Sequence, residues 1–264
     1  MSNKKGVSFY FFDFDDNIMV LPTHLLIKNT ITKEIKEITS AEFALINPNL
    51  GKAGSWADWS CYSDTFIYFN DIPPDKLGKG DKQYFVRDIE KAISANTIDW
   101  QGPSWNLFQG ACKIKAPVSI VTARGHSADT IKEGIKVLFD KGLISNLPNY
   151  HTIFPVSNKD KRLELGDKDF TMTIPALKKL AIIKSVNDGI NAKGKKLQHR
   201  FGMSDDDPEN VRLIITAMRD CKNTYPDNRF FVINTHDGEK VKLEVFPFDI
   251  PVNTKLEAYK DALE

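Results

Sequence analysis

Cysteine is scarce in this chain, and long apolar runs are missing altogether. Cys61, Cys112 and Cys221 are odd in number, far apart and without CxxC spacing, which argues against a disulfide framework or a cysteine-built zinc site. They are expected to be reduced thiols packed as small buried hydrophobes. No stretch of about 18 apolar residues occurs, so no membrane-spanning helix is expected. Met1 to Gly6 is polar and basic, without the apolar stretch of a secretory signal, and a cytoplasmic protein is the expectation. Neither sign of charge dominates, with 36 Lys and Arg against 35 Asp and Glu and a formal net charge of +1. No whole-chain field therefore points to nucleic acid or a membrane, although a local basic patch stays open. There is no internal repeat and no low-complexity tract.

What is present suits a folded α/β protein. The 264 residues are 41% hydrophobic and 27% charged, enough for one or two domains with a sizeable core. Val7 and Phe9-Tyr10-Phe11-Phe12 form an apolar run that stops at Asp13-Phe14-Asp15-Asp16-Asn17. Such a run predicts a strand buried on both faces of a parallel sheet, with the carboxylates at its carboxyl end, where open α/β sheets place their sites. If the backbone stays extended, Asp13 and Asp15 share one face and Asp16 points away. The same residues also suit a solvated acidic turn.

Further along, Leu25–Asn29 and Glu34–Ile38 read as a hairpin, and Ser40 as the cap of a short helix through Ile46. Asn47 to Gly80 is irregular, with one strand expected over Thr65–Phe69. Apolar spacing predicts helices over Gln83–Ala95 and Trp105–Cys112, a buried strand over Pro117–Thr122, and a Ser127-capped helix that exits at Gly142. Strands follow at His151–Val156, Leu197–Met203, Arg229–Asn234 and Val241–Phe246, and helices over Pro175–Asn187 and from Pro208, capped by Asp207. Strands separated by helices predict a doubly wound, Rossmann-like parallel sheet with helices on both faces. Three strands end in unusual polar sequences, Asp-Phe-Asp-Asp-Asn, Thr-Ala-Arg-Gly-His and Ser-Asp-Asp-Asp, which are expected to meet on one rim.

In these motifs the chain resembles the haloacid dehalogenase-like (HAD) hydrolase superfamily. The resemblance rests on Asp13-Phe14-Asp15 after the first strand, Thr122 ending a later one, and Asp205-Asp206-Asp207 ending another, and it covers roughly residues 7 to 17 and 115 to 235. Asn17 departs from the Thr or Val usual in the family, and the motif lysine has no clean signature. Lys178 is chosen by its place in the helix before the last motif, over Lys161, Lys168, Lys179 and Lys184, any of which also suits a solvated face. The resemblance implies a core domain over 1–20 and 112–264, and a cap insertion over 21–111 between the first and second motifs.

It also implies a phosphatase. Asp13 would be the nucleophile and Asp15 the acid and base of a two-step hydrolysis through an aspartyl phosphate. Thr122 and the N–H groups of the following residues, Ala123 and Arg124, would hold phosphoryl oxygens, and Lys178 would neutralise their charge. Arg124 would be a second cation there, or equally a surface ion-pair partner. Mg²⁺ would be held by Asp13, Asp205, Asp206 and the backbone carbonyl of Asp15. The second Asp favours a phosphatase or phosphotransferase over a dehalogenase. A phosphorylated small molecule is the expected substrate, with a phosphotransferase, a nucleic-acid-end phosphatase or a silent binding module as alternatives; no membrane partner is expected, and the oligomeric state is open. Trp56, Trp59, Tyr62 and Trp105 would either line a planar group or form the core of a small cap. His126 would face substrate, while His199, next to Arg200 in a strand, would be packed.

Overall fold

The computed structural model describes residues 6–95, 98–236, 240–247 and 257–258. Met1 to Lys5 and the C-terminal limit expected for the core domain lie outside them. The chain begins with β1 (Ser8–Phe12), β2 (His24–Asn29), β3 (Ile35–Thr39), helix α1 (Ser40–Ile46), β4 (Trp59–Ser60), α2 (Tyr84–Ser94) and α3 (Trp105–Lys113). It continues with β5 (Pro117–Thr122), α4 (Ala128–Asp140), β6 (Asn149–Pro155), α5 (Lys159–Glu164), α6 (Ile174–Lys193), β7 (Arg200–Asp205), α7 (Pro208–Thr224), β8 (Arg229–Asn234), β9 (Val241–Val245) and β10 (Glu257–Ala258).

The large sheet runs in the order β10-β9-β8-β7-β1-β5-β6. Its neighbours from β8 to β6 are parallel, and β9 and the two-residue β10 add antiparallel at one edge. After β1 the chain builds outward on one side through β5 and β6, then returns to β1's other side with β7 and builds outward through β8. The order reverses at β1, and such a reversal opens a crevice beyond the strands' carboxyl ends. Thr122 and Asp205 end the two strands that flank β1.

The four aromatics of β1 divide by the period of a strand. Phe9 and Phe11 join one core with α6 and α7, including Leu177, Ile182, Ile214 and Met218. Tyr10 and Phe12 face the other core, with Phe85, Ile89, Phe108, Ile131 and Ile135 of α2, α3 and α4. Burying each Phe contributes about 1.5–3 kcal/mol, so helices are required on both faces. Residues 84–111, expected within the insertion, therefore pack on the large sheet itself. Trp105 lies there too, its ring centroid 4.7 Å from that of Trp100, and not with Trp56 and Trp59.

A second sheet, β3-β2-β4, is antiparallel. It buries Leu25, Ile27 and Ile38 as a small core, against which Phe43, Trp56, Trp59 and Phe69 pack half-buried. The two tryptophans meet edge-on at 6.2 Å, so their aromatic surface packs the core of this small unit. Two local expectations change here. Thr39, not Ser40, caps α1, forming a reciprocal capping box with Glu42. Residues Thr65–Phe69 are not a strand: the Thr65 carbonyl takes one bond from the Leu26 N–H, and the chain then winds into a 3₁₀ turn over Ile67–Phe69. Cys61 is exposed, unlike Cys112 and Cys221. Among the described residues no helix is long and apolar enough to cross a membrane.

Candidate active site

The site grows from the loop that leaves β1. The Asp13 N–H is paired with the Ser204 carbonyl of β7 at 3.1 Å, and Phe14, Ile18 and Met19 close a tight turn through bonds to the Phe14 carbonyl. Asp16 sits at φ +58°, an uncommon conformation that Asp adopts more readily than most residues. Its carboxylate turns away to accept a 3.2 Å bond from the Ser40 hydroxyl. Asn17 is fully buried and braces the turn: its Nδ2 donates to the Asp13 and Ser204 carbonyls and the Ser204 hydroxyl, and its Oδ1 accepts from Thr235. A side chain on Gly102 would collide with the Asn17 carbonyl, which lies 2.3 Å from where its Cβ would be. That close approach lets the Ser104 N–H bond the same carbonyl at 2.8 Å.

Asp13 and Asp15 stand in different electrical surroundings. Buried Asp13 pairs with Lys178 at 3.0 Å, and Lys178 also lies 3.5 Å from Asp205. Lys178 projects from the second turn of α6, a helix started by the Thr173 cap and Pro175. Burial works against its charge, but Asp13 and Asp205 more than offset that and hold the ammonium above the ordinary lysine range. Burial raises Asp13, as do Asp205, Asp15 and Asp206, against the pull of Lys178. Burial and the adjacent Asp205 raise Asp206 to about 7. The other candidate lysines do not reach the cluster: Lys179 pairs with Asp220, Lys184 with Asp188, Lys161 with Glu164, and Lys168 is exposed.

Asp15, by contrast, is gripped by Arg124, with contacts of 2.6 to 3.0 Å from Nε and Nη2. Arg124 is fully buried, not a surface residue. Its guanidinium lies 4.7 Å from the Phe69 ring centroid and 4.8 Å from that of Phe85, and Nη2 also bonds Thr23, which in turn bonds Asp88. A rigid planar fork suits both the carboxylate and the aromatic faces in a way a lysine would not. Thr122 also meets Asp15, at 3.3 Å, and its oxygen accepts the Arg124 N–H. The Gly125 N–H goes to the Phe69 carbonyl and the Ser127 N–H to Asp71. The loop after β5 thus spends its N–H groups at Arg124, Gly125 and Ser127 within the chain, while Ala123 is exposed at its tip.

His126 does not face the site. It is fully buried against Phe85, neither ring nitrogen has a hydrogen-bond partner among the described residues, and burial followed by the nearby Arg124 pushes its pKa down to about 2. His199 is packed as expected, accepting the Val7 N–H at Nδ1.

Carboxylate oxygens of Asp13, Asp205 and Asp206 lie within 4.8 Å of one another. Asp205 Oδ1 accepts from the Asp207 N–H and Asn210, while Oδ2 is buried, has no hydrogen-bond partner among the described residues and lies 3.5 Å from the Lys178 ammonium. That oxygen, buried beside two further carboxylates and met by that ammonium, belongs to a donor set that fits a hard divalent cation such as Mg²⁺. The side chain of Asp15 stands apart from this set. Comparison with protein-family models, with curated proteins and with solved structures finds no match to the chain.

Proposed function

We propose that this chain is a Mg²⁺-dependent phosphomonoester hydrolase of the HAD-like type. The observation that carries the reading is one motif holding two carboxylates in opposite settings: Asp13 packed against Lys178 and Asp205, Asp15 drawn aside by Arg124 and Thr122. Paired carboxylates with separated environments are how a site divides nucleophile from acid and base. An Asp13 oxygen attacks phosphorus, and the bond to the ester oxygen breaks with its electron pair going to the leaving alcohol, which takes a proton from Asp15. Water then attacks the aspartyl phosphate and gives its proton to Asp15, and phosphate leaves Asp13.

Arg124 holds the Asp15 carboxylate aside through contacts of 2.6 to 3.0 Å. Proton donation in the first step requires Asp15 to exchange that contact for one to the leaving oxygen. Lys178 holds charge on the transferred group, and Thr122 has its hydroxyl on the same rim. Mg²⁺ would be held by Asp13, Asp205 and Asp206, with the Asp15 carbonyl as a further donor, and would relieve repulsion between the carboxylates and the phosphoryl oxygens. The small sheet and α1 serve as a cap over this rim, with Phe69 closing on the loop after β5 through the Gly125 N–H.

Phosphate release should require Mg²⁺ and stop with excess EDTA. Asp205→Asn should cost more than the roughly 10- to 100-fold typical of a supporting residue near a metal. Full activity in EDTA contradicts the reading.

A further inference from the structure

Between the small sheet and the rim lies a cavity of about 390 Å³, within the size range of small-molecule sites. The apolar part of its wall is Leu25 of β2, Phe43 of α1, Phe66 before and Phe69 at the end of the 3₁₀ turn, and Ile174 at the start of α6. Among the described residues no Lys, Arg, His, Asp or Glu lines it. At its edges it touches the candidate site twice. Ser40 lines it and bonds the Asp16 carboxylate at 3.2 Å. Ala123 lines it and sits between Thr122 and Arg124, both of which bond Asp15. The acid's partners and the cavity wall are therefore adjacent along one loop.

We infer that this cavity receives the leaving-group half of the substrate, and that the substrate is a phosphomonoester of an uncharged alcohol with an apolar, ring-sized body. The inference rests on the phosphomonoesterase reading above. A sugar phosphate would bury several hydroxyls against Phe43, Phe66 and Ile174 and leave them unpaired. A nucleic-acid end or a bisphosphate would bring a second phosphate against a wall that holds no cation. An aromatic or alicyclic body loses little on entry and stacks on the phenylalanine rings. Asn70, the amide at this wall, already donates its Nδ2 to the Phe66 carbonyl at 2.7 Å, and with the Ser40 and Ser157 side chains it forms the polar minority of a mostly apolar lining.

The test compares kcat/KM for 2-phenylethyl phosphate, glycerol 3-phosphate and ethyl phosphate in the full chain with Mg²⁺. All three esters break a bond to a primary alkoxide, so they differ in the body and not in the chemistry. The aromatic ester should lead glycerol 3-phosphate by about tenfold or more, and Phe66→Ser should remove most of that lead while leaving ethyl phosphate within about twofold. Phe66 is 46% exposed, so this variant is expected to fold; Phe43→Ser is the second. Equal rates for the aromatic and glycerol esters, or variants that lower all three alike, overturn the inference. If no ester is hydrolysed, the phosphatase reading fails, and binding of 2-phenylethanol followed by saturation-transfer NMR decides the cavity separately. Binding that weakens in Phe66→Ser keeps it as an apolar ligand site; absence of binding overturns it.

Discussion

The side chains that set this site are of two kinds, those whose type announces chemistry and those whose type announces nothing. Asp13, Asp15, Thr122, Asp205 and Lys178 belong to the first kind, the first four carried at or just beyond strand ends and Lys178 brought to them by α6. Asn17 belongs to the second. Its sequence position after three carboxylates reads as a turn, yet its amide satisfies Ser204, Thr235 and the Asp13 carbonyl at once, a convergence that exists only after β7 and β8 fold beside β1. Arg124 was legible as a cation of the second motif but not as a buried one, since Phe69 and Phe85 reach it from distant parts of the chain. His126, beside it, yields a pH prediction. Burial moves it from an ordinary 6.5 to about 2, so between those values the unfolded chain binds a proton that the fold refuses. Its contribution is present above pH 6.5 and is lost as the pH falls below it, by at most about 1.4 kcal/mol per pH unit. Thermal denaturation from pH 7 to pH 5 should show a shallower loss of stability in His126→Leu than in the parent; parallel curves would mean that His126 protonates in the folded state.

At the scale of elements, boundaries were legible wherever punctuation and periodicity agreed. Pro117–Thr122 and Arg229–Asn234 are strands as expected, and Ser127 and Asp207 cap their helices. The cap of α1 was within reach, because Thr39 and Glu42 fit the Thr-x-x-Glu pattern and Ser40 does not. Thr65–Phe69 misled through β-forming composition, and its bonds run instead to residues three back. The short helix α5 carries no apolar periodicity and was not foreseen. The packing of α2 on α4 was invisible in either helix alone, although Gly134, mid-helix, marked a close approach. A Cβ there would come within 2.5 Å of the Phe85 ring. Gly134→Ala gains about 1 kcal/mol in helix propensity but must displace a buried ring at a cost of typically 1–3 kcal/mol. The melting temperature should therefore fall; a rise would show that Phe85 moves aside freely.

Across the whole molecule, the reversal of strand order at β1 explains why residues separated by nearly two hundred positions lie side by side. Alternating strands and helices implied the parallel sheet and a shared rim, whereas the placement of residues 84–111 on that sheet needed the partners of Phe85 and Phe108 to be seen. The large sheet ends at Asp13, Thr122 and Asp205, α6 supplies Lys178, and Leu25, Ser40 and Phe43 share the apolar cavity with Ala123 of the loop after β5. The central claim is that Asp13 carries the phosphoryl group and Asp15 moves the protons, and these duties separate in Asp15→Asn. With p-nitrophenyl phosphate, whose leaving group needs no proton, that variant keeps its nucleophile but loses the base for the second step. The most direct measurement is rapid mixing of Asp15→Asn with this substrate and Mg²⁺, followed by mass analysis of the quenched protein. The account predicts a burst approaching one nitrophenolate per chain, with phosphate on Asp13; a burst in Asp13→Asn, or phosphate on another residue, would contradict it.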